Sequence, residues 1–372
     1  MSAVAPASRR RESSHAGAVE RRGVGVPAAS RPCYGASGAR CPGLTRDRRR
    51  RMKCLIVQPV HADGLEMLRA AGLEPVICPD AAHDTVLGLL PGCTAAITRD
   101  AGFPAAWFAA AAGLRVLVVH GAGHDAVDKA AASRAGVLVC NAPGHNARSV
   151  SELALGLALA AARLVPAADR DERAGRPGFR ERHGFAELSG KTALVVGWGA
   201  TGSGLGRMLA AALDMRVLVH SPRAAGTDGF TRVATLGDGL RQADLVSLHT
   251  PMRPETRGLI GPATLAEVKP GAILVNTARA GLVDEDALAD AIAQGRIAAA
   301  ALDVYSHGAP QGPLGTTDRV IFTPHLGGAT VEALKRMAVA SAGTVLEALA
   351  GRTPATALNA PVGAYAAPAP KG

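Results

Sequence analysis

Aromatic side chains are only 3% of the 372 residues, and no uncharged apolar run approaches the roughly 18 residues of a membrane span. The first shortage argues against a nucleic-acid surface of basic residues interleaved with stacking rings, and the second against a membrane partner. The longest apolar stretch, Leu153–Ala162, is short, ends at Arg163 and reads as a buried helix. The six cysteines, at positions 33, 41, 54, 78, 93 and 140, have neither paired CxxC spacing nor nearby histidines at ligand distance, so no metal site is expected. No apolar segment precedes a small-residue cleavage site, and free thiols in a reducing cytoplasmic compartment fit this pattern.

Acidic residues are short in one place. Residues 1–51 hold twelve arginines against three acidic residues, which accounts for nine of the ten net positive charges and leaves the body close to neutral. The basicity therefore belongs to a tail, and no nucleic-acid partner is expected for the body. Rich in Arg, Ser, Ala, Gly and Pro without a sustained apolar period, residues 1–51 are expected to be disordered. Met52, between the Arg48–Arg51 run and the strand-like Lys53–Val57, reads as the true start; a presequence or a nucleic-acid arm are the alternatives.

From Met52 onward, strand-like runs alternate with helical segments. Cys54–Val57, Pro75–Cys78, Ala95–Thr98, Val116–His120 and Val137–Cys140 are separated by helical patterns such as Gly64–Ala71, Ala105–Ala112 and Asp128–Ala135. A long helical segment, Ser149–Leu164, and a polar stretch, Asp169–His183, lead into further strands near Met215–Val219, Leu245–Leu248, Ile273–Asn276, Ala299–Val304 and Val320–Phe322. A helix is expected over Asp284–Gln294 and another from Thr330 to Leu349, before a Pro/Ala-rich tail at 361–372. Such alternation implies parallel sheets with crossover helices, and two α/β domains are the economical reading, with Ser149–Leu164 as the hinge.

The apolar run Thr192–Val196 flows into Gly197-Trp198-Gly199-Ala200-Thr201-Gly202, and a helical pattern through Leu205, Met208, Leu209 and Leu213 follows. In that context the three glycines read as a dinucleotide motif. Gly197 allows the tight turn, Gly199 the approach of a pyrophosphate and Gly202 close packing of helix on strand.

Four further stretches occur in order: Gly121–Asp128 (GAGHDAVD), Asn141–Leu153 (NAPGHNARSVSEL), Asn276–Glu285 (NTARAGLVDE) and Thr323–Gly328 (TPHLGG). With His249-Thr250-Pro251 and Ala301–Val304, they make residues 52 to 360 resemble the D-isomer-specific 2-hydroxyacid dehydrogenases. The resemblance implies a Rossmann dinucleotide-binding domain at 150–326 and a flavodoxin-like α/β substrate domain at 52–149, completed by 327–360, with the active cleft between them. Hydride would pass between a nicotinamide cofactor and a small 2-oxo or 2-hydroxy acid.

On that resemblance Arg279 clamps the substrate carboxylate and carbonyl, and His325 is the general acid/base. The amides of Ala122 and Gly123 hold the carboxylate, and Asp303 accepts from the nicotinamide carboxamide. Val150 packs by the nicotinamide, Thr250 and Pro251 lie beside the adenosine half, and Ala200, Thr201, Ala278 and Gly327 complete the cofactor shell. Plainer roles stand beside these: a structural ion pair for Arg279, capping for His325, a helix cap for Asp303. His124 and His145 lie within the substrate-loop motifs, and the remaining histidines read as surface or packing residues.

Two departures from the family pattern matter. The Glu-Pro that normally orients the catalytic histidine is missing from Asp303-Val304-Tyr305-Ser306-His307-Gly308-Ala309-Pro310-Gln311. Without that charge beside the imidazolium, reduction is expected to have an optimum displaced toward acid or to be feeble, with His307 or Gln311 as possible substitutes. After Val217–Val219, where a carboxylate for the ribose hydroxyls is expected, the chain carries Ser221 and then Arg223, which favours NADP over NAD.

The short stretch after His325 leaves no room for the regulatory domain of many phosphoglycerate dehydrogenases, which shifts the expectation toward a glyoxylate or hydroxypyruvate reductase, dimeric like its relatives. The alternative is a dinucleotide-binding regulatory protein with little turnover, as in the corepressors that resemble this family. Phosphite or formate oxidation on the same fold has no marker here.

Overall fold

Strands covered on both faces are mostly apolar, and Val116–Val119, Leu245–Leu248 and Ala272–Asn276 are buried at every position, with Ser247 and Asn276 their polar members. A computed structural model describes residues 52–361; the expectations for residues 1–51 and 362–372 fall outside the described residues.

The first sheet is built from β1 (Met52–Ile56), β2 (Leu73–Ile77), β3 (Cys93–Thr98), β4 (Val116–Val119) and β5 (Leu138–Asn141), linked by α1 (Ala62–Ala70), α2 (His83–Leu89), α3 (Ala105–Ala110) and α4 (Lys129–Arg134). The chain then runs through α5 (Ala147–Ala162), α6 (Val165–Arg173) and α7 (Phe179–Arg182) into the second sheet. That sheet comprises β6 (Thr192–Val196), β7 (Arg216–His220), β8 (Thr231–Arg232), β9 (Leu245–Leu248), β10 (Ala272–Asn276), β11 (Ile297–Leu302) and β12 (Val320–Phe322). Its helices are α8 (Ala200–Leu213), α9 (Leu236–Leu240), α10 (Pro262–Glu267) and α11 (Glu285–Ala293), and α12 (Val331–Leu349) follows.

All pairings within both sheets are parallel. The first sheet runs β2-β1-β3-β4-β5, the flavodoxin order, and the second β12-β11-β10-β9-β6-β7-β8, the Rossmann order with one strand added. In such sheets the crevice for a ligand opens beyond the carboxyl ends of the strands where the order reverses. Those switch points are β1/β3 in the first sheet and β6/β9 in the second.

Each sheet has a core on both faces. On the first, Phe103, Trp107 and Phe108 fill one side, while Ala342, Val345 and Ala348 of α12 close the other against Ile56, Leu68 and Val118. The absence of a side chain at Gly64 is a packing requirement. A Cβ there would lie 2.7 Å from the Ala338 carbonyl oxygen, so α1 and α12 cross almost backbone to backbone. The second sheet is covered by α5 and α8 on one face and by α9, α10 and α11 on the other.

The last helix thus returns to the first sheet, and the chain passes between sheets twice, at 142–146 and at 325–330. The two passages abut: Ser149 Oγ donates to the Gly327 carbonyl at 2.6 Å, Arg336 Nε donates to the His145 carbonyl at 2.9 Å, and a Cβ on Gly328 would meet Asn146 Nδ2 at 2.9 Å.

The polar stretch Asp169–His183, to which the sequence pattern assigns no element, carries the end of α6 at its start and α7 at its end. Polarity masks the helices because their stabilising contacts are ionic. Asp171 is buried and accepts from Arg176 Nε at 2.9 Å and Arg182 Nη2 at 2.6 Å. Leu164, left-handed at φ 51°, separates α6 from α5. Among the described residues no single helix is long and apolar enough to cross a membrane.

Candidate active site

At the β6/β9 switch point each glycine of the motif meets a different constraint. Gly197 has φ 98°, and a Cβ there would lie 2.6 Å from the His249 carbonyl oxygen. On Gly202 a Cβ would lie 2.0 Å from the Gly197 oxygen, so only glycine lets α8 start this close to β6. Gly199 is the N-cap of α8 with no side-chain cap, and open space surrounds its Cα, leaving the first-turn amides of Ala200, Thr201 and Gly202 without a capping side chain. Helix α5 is tied to this turn because Ser151 Oγ donates to the Thr201 carbonyl at 2.8 Å.

Beyond β7 lie Ser221 and Arg223, and the Arg223 guanidinium is ion-paired with Glu255 in the loop after Thr250-Pro251. The Glu255 backbone N–H and the Arg223 guanidinium hold the Glu255 carboxyl below the usual carboxylate range. Sequence reasoning missed Glu255, because nothing in the order of residues brings two separate loops together.

The two sheets share a cleft of about 530 Å³ at their carboxyl ends. Of the residues singled out in the sequence, Ala122, Gly123, Val150, Thr201, Thr250, Pro251, Ala278, Arg279, Asp303, His325 and Gly327 line it, as does His124; Gly197, Gly199, Ala200, Gly202, Ser221, Arg223 and His145 are not part of its wall. Thr277 Oγ1, on the same wall, is buried with no hydrogen-bond partner among the described residues. An uncapped helix start, an open glycine and an orphaned hydroxyl fit a dinucleotide lying along β6 and β10.

Arg279 is aimed by the buried Asn276. The Asn276 Nδ2 donates to the Arg279 carbonyl at 2.8 Å, and Oδ1 accepts from the Ala278 amide at 3.0 Å. The guanidinium reaches across to the first sheet, where Nε donates to Asp125 Oδ2 at 2.5 Å while Nη1 donates to the Ala278 carbonyl at 2.6 Å. A Cβ on Gly123 would fall 2.1 Å from Nη2, so the absence of a side chain at 123 is what admits the guanidinium. Behind it, Asn141 Nδ2 donates to the Ala122 carbonyl at 2.9 Å and fixes the loop.

His325 is held by its backbone. Its φ is 55°, a left-handed conformation that costs a residue with a Cβ about 1–2 kcal/mol. Asp303, 1% exposed, offsets that cost. Its Oδ1 accepts from Thr323 Oγ1 at 2.6 Å and from the Leu326 amide at 2.7 Å, its Oδ2 from the Gly327 amide at 2.9 Å, and its carbonyl from the His325 amide at 3.1 Å. Gly327 sits where a Cβ would touch both Asp303 Oδ2, at 3.0 Å, and Val150 Cγ2, at 3.3 Å.

The His325 ring is exposed, and Nδ1 lies 3.9 Å from Asp100 Oδ1, which comes from the turn after β3. Neither His307 nor Gln311 lines the cleft. Instead Ser306, next to His307, donates its amide to Glu285 Oε1 at 2.7 Å. Nearby histidines are driven toward the neutral form: burial, with the Arg99 cation, brings His120 down to about 4, burial alone brings His249 down to about 4, and burial and Lys129 lower His124.

The family model described as the NAD binding domain of D-isomer specific 2-hydroxyacid dehydrogenases matches residues 155–327. A D-3-phosphoglycerate dehydrogenase from Archaeoglobus fulgidus is 34% identical over 316 residues, 83% of this chain and 60% of that protein. A hydroxypyruvate reductase from Thermotoga maritima is 36% identical over 197 residues, 52% of this chain and 64% of that protein. The crystal structure of the TT0316 protein from Thermus thermophilus superimposes with a TM-score of 0.76 at 32% identity, covering 82% of this chain and all of that one. The chain belongs to the D-isomer specific 2-hydroxyacid dehydrogenase family. It spans less than two thirds of the length of these two curated relatives.

In this member of the 2-hydroxyacid dehydrogenases, the turn carrying His325 depends on one carboxylate with three side-chain bonds, all donated to it. Asp303→Asn keeps the size but turns an N–H₂ group toward one of those donors. The substitution is expected to lower the unfolding free energy by about 2 kcal/mol, read as a lower urea midpoint with unchanged slope. An unaltered midpoint would mean that the turn is held by something else.

Proposed function

We propose that the chain reduces a small 2-oxo acid to the D-2-hydroxy acid with a nicotinamide dinucleotide, and runs the reverse oxidation when driven. One observation carries the reading. A guanidinium from the second sheet meets a side-chain-free backbone in the first, in the same cleft as an imidazole held in a strained turn.

Asp125 takes Nε of Arg279, which leaves its Nη2 edge to clamp the substrate carboxylate and carbonyl oxygen, with the Ala122 and Gly123 amides completing the carboxylate site. His325 gives its proton to the carbonyl oxygen as the carbon is reduced and takes it back in oxidation. When bound, the dinucleotide supplies the hydride. The first-turn amides of α8 hold its phosphates, Val150 and Gly327 border its nicotinamide with Asp303, which has one lone pair left for the carboxamide, and Ala278, Thr250 and Pro251 line its path. The hydroxypyruvate reductase among the relatives supports a glyoxylate or hydroxypyruvate type of substrate.

Purified protein mixed with NADPH and glyoxylate or hydroxypyruvate should consume cofactor. In Arg279→Ala, kcat/KM is expected to fall by about 10²–10³. Cofactor binding with no turnover on either acid would overturn the reading in favour of a dinucleotide-binding regulatory protein.

We also infer a preference for NADP over NAD, supported by Ser221 and Arg223 in the place of a ribose-binding carboxylate. The Glu255 contact opposes it, since that carboxylate occupies the cation a 2′-phosphate would need. Glu255→Gln should therefore raise the NADPH-to-NADH ratio of kcat/KM several-fold, and Arg223→Ala should lower it about tenfold, or 1.4 kcal/mol. A wild-type ratio of about one to ten in favour of NADH would overturn the preference.

Leu159, Val165 and Phe185 are exposed apolar side chains on or near α5 and α6, and they support a homodimer formed through this region. Sedimentation equilibrium should return twice the chain mass; a monomer at micromolar concentration would refute the dimer.

A further inference from the structure

We infer that Asp100 is the positioning residue of His325, a carboxylate that the first sheet supplies across the cleft in place of the one missing after Asp303. The inference rests on the functional reading above for its chemistry, but the pairing itself is a matter of geometry.

Both partners are presented by pinned turns. Asp100 follows β3 at the β1/β3 switch point, and its flanking amides are held by one side chain: Gln58 Oε1 accepts from Arg99 N at 3.1 Å and from Ala101 N at 2.9 Å. Thr98 Oγ1 donates to the Gly102 carbonyl at 2.8 Å. Gly102 has φ 69° and no room for a Cβ, which would lie 2.3 Å from the Ala126 oxygen. Across the cleft, the Asp303 bonds set the direction of His325. The facing atoms, Asp100 Oδ1 and His325 Nδ1, are 3.9 Å apart, beyond a hydrogen bond and within ion-pair reach.

The other charges facing His325 are already committed or of the wrong kind. Asp303 accepts three bonds from the turn and has its remaining lone pair assigned to the carboxamide, and Asp125 is bonded to Arg279. Arg279 and Arg99 are cations, the latter donating to the Pro59 carbonyl at 3.1 Å. His120 and His124 are held toward neutrality by burial. Asp100 has no other side-chain hydrogen bond or ion pair among the described residues.

The ring nitrogen facing Asp100 is Nδ1, which leaves Nε2 for the substrate oxygen. This is the division of labour that a proton donor requires. A carboxylate there fixes the tautomer, turns the ring and favours the imidazolium. Because 58% of the His325 side chain and 65% of the Asp100 side chain are exposed, the pair is weak while the cleft is open. Approach of the two lobes by about 1 Å would bring it into hydrogen-bond range and exclude water, as catalytic contacts tighten on forming the complex.

The test is Asp100→Asn, with Asp100→Glu as rescue, in the full chain. NMR of ring-labelled histidine in the complex with NADP and hydroxypyruvate should show the His325 Nδ1 resonance of Asp100→Asn displaced from wild type, with Asp100→Glu recovering most of the difference. The alkaline limb of kcat for hydroxypyruvate reduction by NADPH, which reports the substrate complex, should move to lower pH in Asp100→Asn. Loss near about pH 8 would then be three- to tenfold, against little change near about pH 5.5. A well-folded Asp100→Asn with an unmoved His325 resonance in that complex and an unmoved limb would overturn the inference. Wild-type protein that turns over neither acid would instead sink the functional reading, while the His325 resonance in wild type and Asp100→Asn still decides the pairing.

Discussion

A single buried carboxylate fixes the geometry of the cleft. Asp303 lies at the end of β11, and the three donors that converge on it come from the strand end and turn that follow β12. In the same stroke it holds His325 in a conformation the residue would not choose, and it sets the floor on which Gly327 and Val150 meet. Remove that grip and the imidazole has no fixed direction, because the ring itself touches little. The strain at φ 55° is held by bonds elsewhere, which is how functional positions keep unfavourable backbone angles.

The second constraint is the pair of passages between the sheets. The chain leaves the first sheet at residue 142 and returns at 330, and the two passages are bonded by Ser149 to Gly327 and by Arg336 to His145. Movement of one sheet against the other therefore bends both passages together, within a few residues of Val150 and of His325. Arg279 bridges the same gap farther out, through Asp125 and the bare backbone of Gly123. The cleft is thus tied at one edge by the two passages and bridged at the other by the Arg279–Asp125 pair.

The legible part of the sequence was the part written in backbone and apolar chemistry. Parallel strands announce themselves as mainly apolar runs, and Leu245–Leu248 and Val320–Phe322 fall where the runs place them. Gly197 and Gly202 were readable because their requirement is local: one needs a positive φ, the other forbids a Cβ. The helices α6 and α7 were not, since charged residues satisfied by Asp171 look like those of a solvated loop. Glu255 and Asp100 were illegible for a different reason. Their partners, Arg223 and His325, lie in distant loops, and no periodicity links a carboxylate to a cation that only the fold brings near.

That last failure has a physical consequence for how the site works. A carboxylate placed in the same lobe as the imidazole would keep it charged whether or not substrate is present. Delivered from the opposite lobe, the charge acts at full strength only when the lobes meet, because the interaction of two ions rises as water leaves and the separation falls. Between exposed groups at 3.9 Å it is modest. Within a closed, drier cleft the same pair, brought into hydrogen-bond contact, favours the proton-carrying form of the ring at the moment a carbonyl oxygen lies against it. Losing the usual Glu therefore need not leave the histidine without a partner. On the proposed function, it moves the partner to the far wall, where proton donation would be conditional on a closure that also excludes solvent from the reacting carbon.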